Sequence, residues 1–375
     1  PLLAPLRAAL DLRAPLGTPL DGARVLAGAE GPHASHVVRA GAAAAPADLL
    51  DARAGGGGPP AQVHEARAAS GGAPTDLLDR LPTETVRADL EDLDARPIGE
   101  VVGLLVEAEG RAHEAVRRAL PQLAAATEAV AARLAAGGRL RYVGAGTSGR
   151  IALQDAAECA PTFGTDPALV LAVVAGGAQA ASVAVEGAED DEAAGARDLE
   201  ALGLTETDAV VGISASGRTP YVLGALRAAR AAGALTIAVA NTAGSPIANA
   251  ADLAVEIHTG AEVLAGSTRL TAGTTQKIVL NALSTAAMIH LGKAYGPRMV
   301  DLRATNEKLR RRALRIVADA AAVDEEKAQL ALDQAGGHAK TAIVALVAGV
   351  SVEEARERLA RAGGHARAAI EESAE

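Results

Sequence analysis

An α/β fold built on a parallel sheet of five strands, with helices on both faces, is what this sequence predicts, and three observations carry the prediction. Five short runs rich in Val, Ile, Leu and Ala recur through the middle of the chain: Arg139 to Val143, Ala168 to Ala175, Ala209 to Ile213, Leu235 to Ala240 and Leu253 to Ile257. Each is followed by a stretch of helical character, and strands joined through helices pair in parallel and are covered on both faces. Two of the runs end in loops of Gly, Ser and Thr, at the carboxyl ends of strands, where open parallel sheets bind their ligands.

The elements follow in order. Residues 1–75 are rich in Ala, Gly and Pro and contain the breaker cluster Gly55 to Pro60, so they read as a disordered extension or linker that is dispensable for activity. Within them, Pro19 to Gly28 faintly resembles the tail of a sugar kinase of the actin-like ATPase class, which would make the extension the remnant of a fusion. The chain begins at Pro1 and reads as processed or as a piece of something longer. From Leu77 the pattern is denser, and apolar positions at helical spacing from Val101 through Val116 to Leu134 predict one or two helices before the first strand. Helices are then expected from the first glycine loop to Cys159, through the acidic run after the second strand, from Pro220, briefly after Ala240, and at length from near Thr271. Residues 77–320 form the predicted catalytic domain. Residues 321–375 read as a small, separate helical domain of UBA-like character, with an internal echo: LDQAGGHAKTAI from Leu332 and LARAGGHARAAI from Leu359. Its Gly-Gly-His pieces read as turns with His338 and His365 at helix starts. Neither has a Cys or carboxylate beside it in sequence, so no metal site is assigned.

Composition narrows the function. There is no Trp, one Phe and three Tyr, so the core must be packed from aliphatic side chains, and recognition by aromatic stacking on bases is not expected. A formal charge of −10 argues against nucleic acid or an anionic membrane as partner. The run Arg310 to Arg312 reads as a solvated helix face. No apolar run is long enough for a membrane span. The single cysteine, Cys159, allows no internal disulfide, as expected of a cytoplasmic protein.

The chemistry is concentrated in two loops and the stretches after them. In YVGAGTSGR, Tyr142 to Arg150, a strand runs into Gly144, Gly146, Thr147, Ser148 and Gly149 and then into a helix. Glycines allow a sharp turn and close approach, hydroxyls donate hydrogen bonds, and the helix start adds unpaired N–H groups, which together suit a phosphate. In GISASGRTPY, Gly212 to Tyr221, the third strand runs into Ser214, Ser216, Gly217 and Thr219, with Thr219 and Pro220 as N-cap and first residue of the next helix. One such loop is common as a plain helix cap; two are not. Glu158, among Ala156, Ala157, Cys159 and Ala160, is in apolar company that would raise its pKa by desolvation. Cys159 reads as a small buried thiol, since no histidine stands near it in these blocks. Glu189, in the run Glu186 to Glu192, reads on composition alone as part of a solvated acidic helix start.

The two loops together resemble the phosphosugar-binding loops of a sugar isomerase (SIS) domain. The blocks DAAECAPTFG (Asp155 to Gly164), AGGAQAA (Ala175 to Ala181), VEGAEDD (Val185 to Asp191), GAEVLAGSTRLTAGTTQK (Gly260 to Lys277) and MVDLRATNEKL (Met299 to Leu309) narrow the resemblance to the N-acetylmuramic acid 6-phosphate etherase family. It covers the chain from about Leu77 onward. Thr271 stands where a lysine is common and Ala160 where a proline is common. The resemblance implies a lyase of cell-wall sugar recycling that needs no cofactor and no metal. Its catalytic carboxylates would be Glu158 and Glu189, with Glu158 the better acid candidate. Phosphosugar would be held by Thr147, Ser148, Gly149, Ser214, Ser216, Gly217 and Thr219, with Glu262 and Ser267 closing the site. A homodimer is implied, its sites near the interface, where Glu262 could approach the neighbour's site. Asn306 to Lys308 forms a family signature without a derivable role. A sugar-phosphate-sensing regulator of the glucokinase regulatory protein type and a phosphosugar isomerase are the alternatives within the same fold. The single set of loops and the presence of both glutamates disfavour the first, and the sequence blocks disfavour the second.

Overall fold

Five strands form one sheet in the order β2-β1-β3-β4-β5, every neighbour parallel. They are β1 (Leu140–Gly144), β2 (Val170–Val174), β3 (Ala209–Ser214), β4 (Leu235–Ala240) and β5 (Leu253–Glu256). The computed structural model describes residues 81–302 and 307–372; the expectations placed on residues 1–75 and on Asn306 lie outside them. Helices α1 (Ile98–Arg118) and α2 (Leu120–Ala135) lead into β1, and α3 (Gly146–Phe163) joins β1 to β2. Between the later strands come α4 (Glu192–Glu200), α5 (Pro220–Ala231) and α6 (Pro246–Ala250), and α7 (Thr271–His290) follows β5.

The strand sequences account for the two-sided burial. Alternate residues point to opposite faces, so Tyr142, Val211, Ile213, Ile237 and Val239 enter one core with α1, α2, α3 and α7. Val143, Val210, Ala238 and Ala240 enter the other with α4, α5 and α6. The chain passes from β1 outward to β2 and then back across β1 to β3, so the winding reverses between β1 and β3. That is the crevice in which ligands of doubly wound sheets bind. The register sets Gly144 opposite Ile213, so the two Gly/Ser/Thr loops leave the sheet side by side.

One expectation is corrected. No single helix runs through the acidic stretch after β2. Two 3₁₀ turns, Gly177–Ala181 and Ala188–Asp190, precede α4. Gly176, Gly177 and Gly187 all take left-handed φ, which breaks the pattern. Asp191 then accepts a hydrogen bond from the Ala194 N–H at 2.8 Å and caps α4.

After α7 a short hairpin, β6 (Ala294–Tyr295) and β7 (Arg298–Met299), leads to five helices: α8 (Glu307–Ala321), α9 (Glu325–Gln334), α10 (Ala339–Ala348), α11 (Val352–Arg361) and α12 (Ala366–Glu371). Their core also draws in Val300, Leu302, Ala313 and Val317, ahead of residue 321. His338 and His365 stand at the N-caps of α10 and α12, after glycines with positive φ, so the echoed segments are turns between helices. The echo has a mechanical purpose in its ninth residue. Lys340 reaches the buried Asp301 at 2.7 Å and the Gly364 carbonyl at 3.0 Å. Its counterpart Arg367 lies over the Tyr295 ring, 5.6 Å from the centroid. His338 does have a carboxylate neighbour, which its sequence surroundings did not offer: its Nε2 is 3.3 Å from Asp301.

Candidate active site

Loop 1 joins β1 to α3 by a turn that only glycine permits at two places. A Cβ on Gly144 would stand 2.7 Å from the Gly149 backbone nitrogen, and one on Gly149 would stand 2.8 Å from the Gly144 carbonyl oxygen. The strand end and the helix start are therefore in direct backbone contact, with Thr147 half-buried and Ser148 buried in the first turn of α3. Loop 2 gathers three hydroxyls. Ser214 Oγ is 2.8 Å from Thr219 Oγ1 and 3.4 Å from Ser216 Oγ, and it accepts from the Gly217 N–H at 3.0 Å. Ser216 Oγ accepts from the Arg218 N–H. Thr219 precedes α5 as expected, but its hydroxyl turns to Ser214 and makes no cap bond to the helix. The left-handed Gly217 packs where a Cβ would lie 2.3 Å from that of Ser245. Two helix starts and a cluster of hydroxyls thus flank the crevice between β1 and β3, an arrangement suited to a dianion.

The third wall is the start of α7. A Cβ on Gly273 would lie 3.4 Å from Thr147 Cγ2, so this helix begins against loop 1. The turn before it holds the half-buried Ser267, and the Thr268 carbonyl accepts from the Gly273 N–H. Glu262 is held by the start of that helix. It is 1% exposed and its two carboxylate oxygens accept from the N–H groups of Thr271 and Ala272, at 3.1 and 2.8 Å. The carboxylate caps α7 and serves the helix dipole.

The two candidate carboxylates lie apart. Glu189 is exposed at the rim of a cavity of about 200 Å³ lined also by Gly146, Arg150, Val185 and Glu186, beside the start of α3. Glu158 sits on the same helix about 18 Å further along its axis than Gly146, at roughly 1.5 Å per residue, and it does not line that cavity. It is exposed, so its apolar sequence neighbours do not enclose it as expected. A helix turns those neighbours away: Ala156 and Cys159 face the core and Glu158 faces out. Cys159 is buried and unpaired as expected. Burial first, then the charges of Asp155 and Glu158, push its thiol up to about 12, which leaves it inert as a nucleophile.

A family model described as the glucokinase regulatory protein N-terminal SIS domain matches residues 122–230. The N-acetylmuramic acid 6-phosphate etherase of Geobacillus thermodenitrificans is 53% identical over 267 residues, which cover 71% of this chain and 90% of the relative. That of Rubrobacter xylanophilus is 53% identical over 266 residues, covering 71% and 88%. The chain belongs to the N-acetylmuramic acid 6-phosphate etherase family. Among solved structures, a phosphoheptose isomerase from Neisseria gonorrhoeae shares 21% identity, covering 50% of this chain and 97% of its own at a TM-score of 0.39, too distant to bear on function.

Three further residues of this etherase-family chain stand in the site architecture without having been singled out by motif. Asp155, buried one turn before Glu158, accepts from Tyr142 Oη (2.9 Å), Asn281 Nδ2 (2.6 Å) and Ser284 Oγ (3.1 Å), and so locks α3 to β1 and α7. The burial of Tyr142, together with the Asp155 charge, raises its hydroxyl well above the usual range and keeps it a donor. Asn241 ties loop 2 to α7: its N–H donates to Ala215, its Nδ2 donates to Thr275 Oγ1 at 2.8 Å, and its Oδ1 accepts from Gln276 at 3.0 Å. Arg150, in the first turns of α3, donates from Nε to the Ala180 carbonyl. The signal for Asp155 was present in the block DAAEC, where a charge on the core-facing side of a helix demands partners. Asn241 had no such signal, because its partners come from a helix more than thirty residues away in sequence.

Proposed function

We propose that this chain is a carbon–oxygen lyase that cleaves the lactyl ether of N-acetylmuramic acid 6-phosphate, giving N-acetylglucosamine 6-phosphate and D-lactate. The reading is carried by family membership combined with two hydroxyl loops meeting at the crevice between β1 and β3. The 6-phosphate is held by Thr147, Ser148 and the Gly149 region on one side and by Ser214, Ser216, Gly217 and Thr219 on the other. In the ring-opened sugar the ether oxygen on C3 is β to the aldehyde. A base removes the C2 proton, an acid protonates the ether oxygen as lactate leaves, and water then adds to C3 of the alkene while a proton returns to C2. The sum is one water consumed and one ether bond broken. Base and acid each contribute about 10²–10⁴-fold, and Glu189 and Glu158 are assigned those roles in turn.

Separation of the two glutamates supports a site shared between two copies. The helix length between the phosphate loop and Glu158 exceeds one sugar ring, so a Glu158 acting on the bound substrate belongs to a second subunit. A surface suited to such a homodimer exists on α1, where Ile98, Val102 and Val106 form a stripe at helical spacing that is 83%, 53% and 69% exposed. The enzyme is placed in the cytoplasm, in keeping with a single unpaired thiol. The test is D-lactate release from the muramic acid phosphate by the wild type, E158Q and E189Q. Loss in kcat for both variants with folding intact is expected, and full turnover in both would reject the assignment.

A further inference from the structure

The segment that leads into the turn of Glu189 is a loop closed at its neck. It leaves β2 at Gly176, whose left-handed backbone packs where a Cβ would lie 2.8 Å from Val185 Cβ, and it ends at Gly187, also left-handed. Residues 181–187 are all exposed, including Val183 at 53%. Such a loop has little core of its own to hold it. One side chain from outside crosses it: Arg150 Nε donates to the Ala180 carbonyl at 2.9 Å and Nη2 to the Val183 carbonyl at 3.4 Å. Arg150 lies in the same cavity as Glu186 and Glu189. Yet no carboxylate of the described residues is within ion-pair distance of its guanidinium, which spends itself on backbone.

We infer that Arg150 is a positioning residue for the proposed elimination, clamping the 176–187 loop onto the phosphate-loop helix so that Glu189 is held at a fixed height above the anchored sugar. The inference rests on the etherase reading for its catalytic consequence, though not for the clamp itself. Arg150 follows Gly149 directly, so phosphate-binding backbone and clamp share the first turns of α3. A guanidinium suits the task because its planar fork donates in two directions at once, which a lysine ammonium on a flexible stem does less well. Misplacement of a catalytic group by about 1 Å costs on the order of 10²-fold.

The experiment compares wild type, R150K, R150Q and R150A in D-lactate release and in amide hydrogen exchange. Expected are a drop in kcat of about 100-fold in R150A, a smaller drop in R150K, and KM and competitive inhibition by inorganic phosphate changed little. Added guanidinium at sub-denaturing concentration should restore turnover to R150A. Exchange should speed up at residues 181–189 and stay constant in α5. Should R150A fail to fold, R150Q, which keeps the stem, carries the same comparison. Unchanged kcat with unchanged exchange overturns the inference. So does weakened phosphate inhibition in step with the loss of kcat/KM, which would make Arg150 a ligand of the substrate. If the wild type releases no lactate while exchange still rises in the variants, the clamp stands and the etherase reading falls.

Discussion

Replacing Lys340 by Met should loosen the C-terminal helices and flatten the acid limb of the stability profile. Asp301 is 7% exposed at its side chain, with Lys340 Nζ at 2.7 Å, Lys293 Nζ at 3.2 Å and His338 Nε2 at 3.3 Å. Burial alone would push its carboxyl up, but the adjacent His338 ring, the hydrogen bond from Lys340 and the two ammonium charges outweigh it and hold the group at about 2. A carboxyl depressed in the folded state contributes stability above its unfolded pKa and loses it as pH falls through the folded value. From 3.8 down to about 2, at about 1.4 kcal/mol per unit, that is roughly 2 kcal/mol, present above pH ~4 and gone near pH ~2. Lys340 itself is shifted downward, chiefly by burial, so its charge is tolerated because Asp301 answers it. Removing one partner of a buried pair costs about 3–5 kcal/mol; Lys293 remains on Asp301, which points to the lower end. Urea unfolding followed by circular dichroism at several pH values measures both effects. K340M should have a lower midpoint at pH 7 and a shallower acid decline between pH ~4 and ~2 than the wild type, because the folded Asp301 carboxyl is then less depressed. The double variant D301N/K340M should lose less than the two single losses combined, since no unpaired charge is left behind. A K340M midpoint and acid limb matching the wild type would refute the buried-pair reasoning.

If the site is shared, E158Q and E189Q refolded together should recover roughly a quarter of wild-type activity, because half of the dimers are hybrids and each hybrid has one intact site; no recovery would mean that both glutamates act from one chain. N-acetylmuramic acid without phosphate should lose several orders of magnitude in kcat/KM, as several charge-assisted bonds of about 1.5–3 kcal/mol each vanish, and comparable kinetics on the two sugars would count against the anchor. Gly149→Ala should raise KM for the phosphosugar at least tenfold, because its Cβ has to displace the Gly144 carbonyl 2.8 Å away; an unchanged KM would show that loop 1 is not tightly bound to its geometry.

What the chain discloses by itself depends on how far apart the determinants lie. The strands were readable because a strand buried on both faces reads as a near-continuous apolar run, as the stretch from Ala209 to Ile213 does. The loops were readable because Gly144, Gly149 and Gly217 answer to backbone contacts a few residues away or to one neighbouring turn. Glu262 was not readable, since a carboxylate capping a helix nine residues downstream and one contacting a sugar look alike until the helix start is located. Asp191 and Glu189 illustrate the same limit within one acidic run: one caps α4 and its neighbour borders the cavity, a division made by Gly187 and not by charge. Lys340 and Asp301 were invisible as a pair because their meeting requires the hairpin and three helix turns to close first. The separation of Glu158 from the phosphate loop follows from helix geometry alone. A residue twelve positions along α3 is carried about 18 Å down the axis whatever its neighbours are, so groups close in sequence are held well apart in space. The same rigidity that presents Ser148 to the crevice between β1 and β3 presents Glu158 outward, and under the reading proposed above the acid that meets the ether oxygen comes from a second copy of the chain.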